Sequence, residues 1–244
     1  MKRVLLAVTL LAATFTSFAQ EGGNEDRLYY LDISLGYNVA IPPFSNAKTD
    51  DVFLKPRSGG SMSFGFVRKV SDQWGLQVEV LTTSFKVKNS DLANAHGSGE
   101  VISQIEIDPY RSTFFGAGAV TYLPIYRRLT LDVKGSVGIN MVEFAKQNYS
   151  TNTTSNPNET KSMTVSAKRS IAPGALFGGR LRYPIGEMVD VGVKVEYGIS
   201  YANFSNVERI TNAIPPENQS YEALPDVKKT VSYLNAGFTL GLRF

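Results

Sequence analysis

The sequence contains no cysteine, so disulfides cannot hold its fold together. It contains a single histidine, which leaves little scope for the acid–base chemistry of most hydrolytic sites. After the N-terminal region, no segment reaches the roughly 18 consecutive apolar residues that a membrane-spanning helix needs. We therefore expect stability to come from a large packed core or from a closed, hydrogen-bonded sheet.

An excess of one charge is also lacking, because 25 Lys and Arg residues face 22 Asp and Glu residues. This near-balance gives no indication of a nucleic-acid partner, which a strongly basic surface would. No cluster of metal-ligating residues with usable spacing is present in the sequence. We expect no nucleic-acid binding, no metal and no cofactor.

The N-terminus has the pattern of a secretory signal peptide. A positively charged start is followed by an apolar run at 4–15 and by the small residues Ser17 and Ala19. The run is too short to span a bilayer as a helix. We predict that residues 1–19 form a signal peptide and that residues 20–244 form the exported domain.

Beyond this region, apolar and polar residues alternate with a period of two, which indicates β-strands. The segment at 189–201 is the clearest, with Val, Tyr and Ile on one face and Asp190, Lys194 and Glu196 on the other. The segment at 114–122 is ambiguous, because Gly and Ala occupy both faces. The eight segments are 31–39, 62–66, 74–80, 114–122, 129–139, 175–183, 189–201 and 234–244.

A soluble β-sandwich or a lipocalin-like barrel is one interpretation of this pattern, with the apolar face inside. Two features favour a membrane barrel instead. Long polar connections alternate with short ones, as they do in outer-membrane barrels, and Tyr and Trp recur near the strand ends, where they suit a membrane interface. The long connections are 40–59, 88–110, 146–170 and 202–230, and the aromatic residues are Tyr29, Tyr37, Trp74, Tyr122, Tyr126, Tyr183, Tyr201 and Tyr233.

The sequence therefore predicts an all-β fold, an eight-stranded antiparallel up-and-down transmembrane β-barrel with four long extracellular loops. A sheet in lipid has to leave no backbone group unpaired, so its last strand pairs with its first. The closing stretch "LNAGFTLGLRF" resembles the C-terminal signal of bacterial outer-membrane proteins. By that resemblance, the barrel-assembly machinery would bind an assembly signal formed by Phe238, Leu240, Leu242 and Phe244.

The polar face of such a barrel points into a lumen just wide enough for side chains to fill. Buried charges are costly unless they are paired, so we predict a network of ion pairs that fills the lumen. A narrow polar channel for ions or small solutes is the alternative. The inward acids are Asp32, Glu79, Asp132, Asp190 and Glu196, and the inward bases are Lys69, Lys134, Arg180, Arg182, Lys194 and Arg243.

Catalysis would depend on His96, which lies in the polar stretch "NSDLANAHGSGE" near hydroxyl and carboxylate side chains. Nothing in that stretch fixes a base against a nucleophile, as a catalytic site requires. We expect the protein not to be an enzyme. A lipid A-modifying enzyme that uses His96 stays an alternative.

The whole pattern resembles the small eight-stranded outer-membrane proteins of the OmpA-transmembrane-domain and OmpX type. The "SFAQ" end of the signal and the "LNAGFTLGLRF" close are similar to the PorT-like barrels of Bacteroidetes, whose namesake is linked to protein secretion. The resemblance implies a protein of the Gram-negative outer membrane whose partners are outer-membrane lipid and the barrel-assembly machinery, with a further envelope complex possible. It implies a non-enzymatic scaffold that presents surface loops, or an accessory subunit; the alternative is a narrow pore or a small-solute-binding barrel.

Overall fold

The computed structural model contains strands and connections, and none of the residues it describes lies in a helix that is long and apolar enough to cross a membrane. The predicted signal peptide and His96 lie outside the described residues. The described residues are 28–46, 53–91, 100–153, 156–213 and 219–244.

These residues form thirteen β-strands. In chain order they are β1 (Tyr29–Ala40), β2 (Ser58–Lys69), β3 (Trp74–Phe85), β4 (Glu100–Ile107), β5 (Tyr110–Tyr126), β6 (Leu129–Glu143), β7 (Gln147–Thr153), β8 (Asn156–Ser166), β9 (Ser170–Pro184), β10 (Val189–Phe204), β11 (Val207–Ala213), β12 (Gln219–Leu224) and β13 (Val227–Arg243).

Eight of these strands close into one antiparallel barrel. Around the barrel the order is β1, β2, β3, β5, β6, β9, β10 and β13, so neighbours in the barrel follow each other along the chain. Each of the eight segments predicted from the period of two lies on one of these strands. The predicted fold class, an all-β protein with an eight-stranded up-and-down barrel, is confirmed.

The barrel closes where β1 pairs with β13. The seam runs without a bulge from Tyr30 opposite Arg243 to Ala40 opposite Tyr233. At its short-turn end, the backbone N–H of Tyr29 donates to the carbonyl of Phe244 at 2.9 Å, and the N–H of Phe244 donates back at 3.0 Å. The two rings stack with centroids 6.0 Å apart. Phe244 thus completes the last rung of the seam.

The outer wall of the barrel is apolar around its whole circumference. Side chains that point outward include Val137, Ile171 and Phe238, which are 68%, 69% and 77% exposed. Contiguous apolar exposure on this scale is rare on a soluble protein and is typical of a surface that faces lipid. The outward residues are those that the alternation placed on the apolar face.

The other five strands form a second sheet, which we call the extension sheet. Its order is β12, β11, β8, β7 and β4. At most three residues separate each of its strands from a barrel strand, so hairpins of the barrel continue beyond its rim. The sequence pattern does not reveal these strands, which lie inside three of the long connections. The reason is composition, because Ser, Thr and Asn occupy both faces of β7 and β8 and hide the alternation.

The register of the seam can be tested with paired cysteines, since the natural chain has none. Leu35 lies directly opposite Phe238, at a separation that a disulfide can bridge. We expect the Leu35→Cys/Phe238→Cys variant to cross-link in lipid after mild oxidation, which a non-reducing gel of boiled protein detects.

The matched control is Leu35→Cys/Leu242→Cys, in which the second cysteine lies four residues along the strand, about 13 Å away. This control should stay uncrosslinked. Cross-linking of both variants to the same extent would contradict a fixed β1–β13 register.

Candidate functional site

The candidate site is the barrel interior, and its end near the short turns is filled by aspartates and arginines. Arg180 on β9 lies between two carboxylates, with its Nη1 atom 2.8 Å from Asp32 and its Nη2 atom 2.6 Å from Asp132. Arg182 binds the other oxygen of Asp132 at 3.1 Å. Both guanidinium groups also lie over the ring of Tyr30, at 4.6 and 5.2 Å from its centroid. The planar arginine side chain suits such bridging between carboxylates.

Asp190 extends this group toward the end of the barrel that carries the short turns. Its carboxylate contacts Arg182 at 3.2 Å and Arg243 at 3.0 Å. Asp190 is buried, whereas the side chain of Arg243 is 29% exposed. We call the six residues the Asp–Arg tier: Asp32, Asp132, Asp190, Arg180, Arg182 and Arg243.

A second group of charges fills the middle of the barrel. Lys134 lies between two glutamates, 2.5 Å from Glu79 and 2.6 Å from Glu196. Lys194 contacts the other oxygen of Glu196 at 2.9 Å and donates to the hydroxyl of Ser63 at 2.7 Å. These four charged residues, Glu79, Lys134, Lys194 and Glu196, form the Glu–Lys tier.

Neutral side chains complete the hydrogen bonding of the Glu–Lys tier. Ser136 donates to Glu79 at 2.6 Å, and Gln77 donates to it at 3.1 Å. Asn235 donates to Glu196 at 2.8 Å. All of these groups are buried, and buried charge is tolerated when it is both paired and hydrogen-bonded.

Each tier is electrically neutral, with as many acids as bases. The sequence suggested one base too many, because Lys69 was placed inside. The structure corrects that placement: the ammonium group of Lys69 lies 2.7 Å from Asp72, an exposed residue of the short turn after β2. Their hydrogen bond lowers the pKa of the Asp72 carboxyl. Among the described residues, the two tiers are thus left without excess charge to attract an ion of either sign.

The opposite end of the interior, below the long connections, is closed by apolar side chains. Phe44 and Phe53 come from the connection between β1 and β2 and insert into the barrel mouth. Their rings pack against Phe85 and Tyr110, with centroids 5.4 and 5.2 Å apart. The hydroxyl of Tyr110 donates to the carbonyl of Leu54 at 3.1 Å. The aromatic cap comprises Phe44, Phe53, Leu54, Phe85, Tyr110, Phe144, Phe204 and Tyr233, all buried.

The cap is not among the features predicted from the sequence, although part of its signal is present there. Tyr122 and Tyr233 were placed at the membrane interfaces, and the structure shows that placement to be wrong. Tyr233 is 2% exposed within the cap, and Tyr122 packs against the inward side chains of Val67 and Val120. The alternation of side chains along the strand predicts an inward Tyr233, because its neighbour Leu234 faces outward.

The remaining site predictions fall outside what the structure tests. His96, the residue of the enzymatic alternative, lies outside the described residues. Within the described ranges, no group of three or more His, Cys, Asp or Glu side chains could hold a metal ion. The predicted assembly signal lies on the β13 side of the seam, with Phe238 at its middle and Phe244 just after the strand. Phe238, Leu240 and Leu242 point outward and are exposed.

Comparison with known proteins supports the fold. No protein-family model matches the chain, and no curated protein matches it. Among solved structures, a major outer membrane protein from Thermus thermophilus is similar, with 12% identity and a TM-score of 0.52, over 89% of this chain and 98% of that one. Ail of Yersinia pestis has 11% identity, a TM-score of 0.43 and coverages of 90% and 100%. OprG of Pseudomonas aeruginosa has 15% identity, a TM-score of 0.43 and coverages of 89% and 97%.

At such identities a structural similarity shows the fold alone. The similarity to the Thermus protein spans nearly the whole of both chains. Together with the closed eight-stranded sheet, it shows that this chain has the fold of an outer-membrane β-barrel.

The ion-pair tiers predict a strong position dependence of stability. Glu196→Gln preserves shape but leaves Lys134 and Lys194 without their shared partner in a buried site. We expect the free energy of unfolding in lipid vesicles, measured with urea, to fall by about 3–5 kcal/mol. The control Lys69→Gln breaks the surface ion pair with Asp72 and should cost about 1 kcal/mol or less. Equal losses would contradict the assignment of Glu196 to a fully desolvated tier.

The aromatic cap predicts that a connection residue behaves as a core residue. Phe53→Ala removes a fully buried ring and should lower the free energy of unfolding by about 3–5 kcal/mol. Tyr221→Ala, on the extension sheet beyond the bilayer, is the control and should cost clearly less, because its ring is 61% exposed to water. A neutral Phe53→Ala variant would show that the connection does not insert into the barrel mouth.

Proposed function

We propose that the protein is a non-enzymatic barrel of the Gram-negative outer membrane. It acts as a scaffold that holds a docking surface outside the bilayer, either freely or as an accessory subunit of an envelope complex. The carrying observation is the combination of a filled barrel interior with an ordered sheet beyond the barrel rim. The barrel anchors the protein, and the extension sheet meets the partner.

Location in the outer membrane is supported by the apolar outer wall and by the fold. The barrel strands are 12 to 17 residues long, enough for tilted strands to cross a bilayer. Closure of the sheet also gives every barrel strand a hydrogen-bonded neighbour on each side, so that no open sheet edge is exposed to lipid. The predicted signal peptide provides the export that such a location needs.

A scaffold role is favoured over a pore by the packing of the interior. The Asp–Arg tier, the Glu–Lys tier and the aromatic cap succeed one another along the barrel axis. Between the Glu–Lys tier and the cap, Asn140 accepts a hydrogen bond from Ser112 and donates one to Ser200, each at 2.7 Å. Transport would require these groups to separate in concert, which buried, paired charges resist.

The extension sheet has two faces with different tasks. Tyr149, Val165 and Val207 are buried and pack with the aromatic cap, so one face is occupied by the protein itself. The other face carries Asn148 and Thr164, whose side chains are joined by a 3.1 Å hydrogen bond. Such a polar, half-exposed face on a rigid support is the kind of surface that carries recognition.

Tyr221 on the edge strand β12 adds an aromatic anchor to this polar face. It lies opposite Ile210 in the register and is 61% exposed. A hydrogen bond to Glu208 raises the pKa of its phenol. Tyrosine is a common anchor of protein interfaces.

Two parts of the proposal depend on sequence patterns alone. The accessory-subunit form draws on the resemblance to the PorT-like barrels. The alternative of a lipid A-modifying enzyme depends on His96, and unchanged lipid A in cells that carry a His96→Ala variant would remove it.

The docking role is tested by photo-crosslinking in intact cells. A photoreactive residue at Thr164, on the polar face of the extension sheet, should give one discrete adduct, identified by mass spectrometry. The same residue at Phe115, on the lipid-facing wall, is the control and should not give that adduct. Adducts that are absent at Thr164, or identical at both positions, would contradict a docking role for the sheet.

A further inference from the structure

A group of three charged side chains lies on the outer wall, at the barrel end that carries the extension sheet. Arg111 on β5 lies directly opposite Glu143 on β6. Arg169, which immediately precedes β9, forms an ion pair with Glu143. All three point away from the interior, since their neighbours Tyr110, Val142 and Ser170 are the buried ones. We call these three residues the rim cluster.

The depth of the rim cluster is set by the row beneath it. Two residues closer to the short turns on each strand, the outward residues are Thr113, Met141 and Ile171, which are partners in adjacent strands. This row carries no charge, and Ile171 is 69% exposed. The rim cluster is thus the first charged row above the apolar wall, the depth at which lipid headgroups lie.

The rim cluster has a charge left over. Two guanidinium groups share one carboxylate, and that carboxylate is occupied by Arg169. Within the described part of the chain, Arg111 makes no side-chain hydrogen bond and no ion pair, and it is exposed. The interior tiers balance acids against bases, whereas this group does not. An arginine pair of this kind is suited to a phosphate, which accepts hydrogen bonds from both guanidinium forks.

We propose that the rim cluster binds the phosphate monoester on the sugar headgroup of a saccharolipid in the surrounding leaflet. Arg111 and Arg169 donate to the phosphate oxygens, and the row of Met141 and Ile171 contacts the acyl chains. Glu143 orients Arg169 and competes with the phosphate for it. The inference rests on the proposed location in the outer membrane, because it places this end of the barrel in a saccharolipid leaflet.

Native mass spectrometry of the purified barrel tests the proposal. The probes are a diphosphorylated glucosamine-disaccharide lipid and its dephosphorylated counterpart. We expect the intact protein to retain the phosphorylated lipid preferentially. The double variant Arg111→Gln/Arg169→Gln should bind it about tenfold more weakly, since two charge-assisted hydrogen bonds are lost. Arg128→Gln, at the short-turn end, is the matched control and should bind as the unaltered protein does.

Glu143→Gln provides a test with the opposite sign. Removal of the competing carboxylate should strengthen binding of the phosphorylated lipid, an effect that loss of a purely structural ion pair would not give. This single variant also carries the test if the double variant fails to show the heat-modifiable gel mobility of an assembled barrel.

Three results would overturn the proposal: equal retention of the two lipids, unchanged binding by the double variant, or weaker binding by Glu143→Gln. Full displacement of the lipid by inorganic phosphate would also overturn it, because the site would then be one for a free anion. These experiments use purified protein. Failure of the docking role would therefore appear in the photo-crosslinking alone, and failure of the lipid site in the mass spectra alone.

Discussion

Closure of the sheet between β1 and β13 is the constraint on which the rest of the structure depends. Hydrocarbon offers no partner for a backbone N–H or C=O group, so an open edge within it would be costly. Eleven consecutive residue pairs and the two backbone hydrogen bonds at Phe244 remove that edge. Once the sheet is closed, every strand has one face toward lipid and one toward the interior. The composition of each face follows from that division.

An eight-stranded interior is too narrow for solvated charges, and this explains how the interior is filled. Shorter aspartates pair with the long forks of arginine in one tier, and glutamates pair with lysines in the other. Buried ion pairs are weak sources of stability compared with apolar packing. Their value here is specificity, because a slip of one residue would turn Lys134 or Arg180 toward lipid. The tiers thereby select one register, and the aromatic cap adds the apolar packing that the polar interior lacks.

Beyond the bilayer, the long connections close the barrel mouth and form the extension sheet. The first connection turns back into the barrel mouth through Phe44 and Phe53. The others continue as hairpins into the extension sheet, whose inner face rests on the cap. A loop surface with conformational freedom would lose entropy on binding a partner, whereas a sheet supported from below has already lost it. The filled interior and the ordered extension sheet are therefore two results of one packing arrangement.

The fold was predictable because lipid on one side and a filled lumen on the other enforce alternation, as in β10, where valines alternate with Asp190, Lys194 and Glu196. The β5 segment was ambiguous because small residues on its inward face hide the alternation. Gly118 is one of them, since a Cβ at this position would collide with the backbone of Gly135. The identity of the inward charges was also accessible from parity. Their division into two tiers was not, since it depends on the stagger between strands. The cap was missed because its members come from distant segments whose contacts no local pattern encodes.

Single-channel recording in a planar bilayer tests the filled interior most directly. The account predicts that the correctly assembled protein, checked by its gel mobility before and after boiling, gives no conductance steps above the bilayer baseline. Reproducible, discrete steps from the same preparation would contradict it. They would show that the tiers and the cap open together, and that the barrel is a pore.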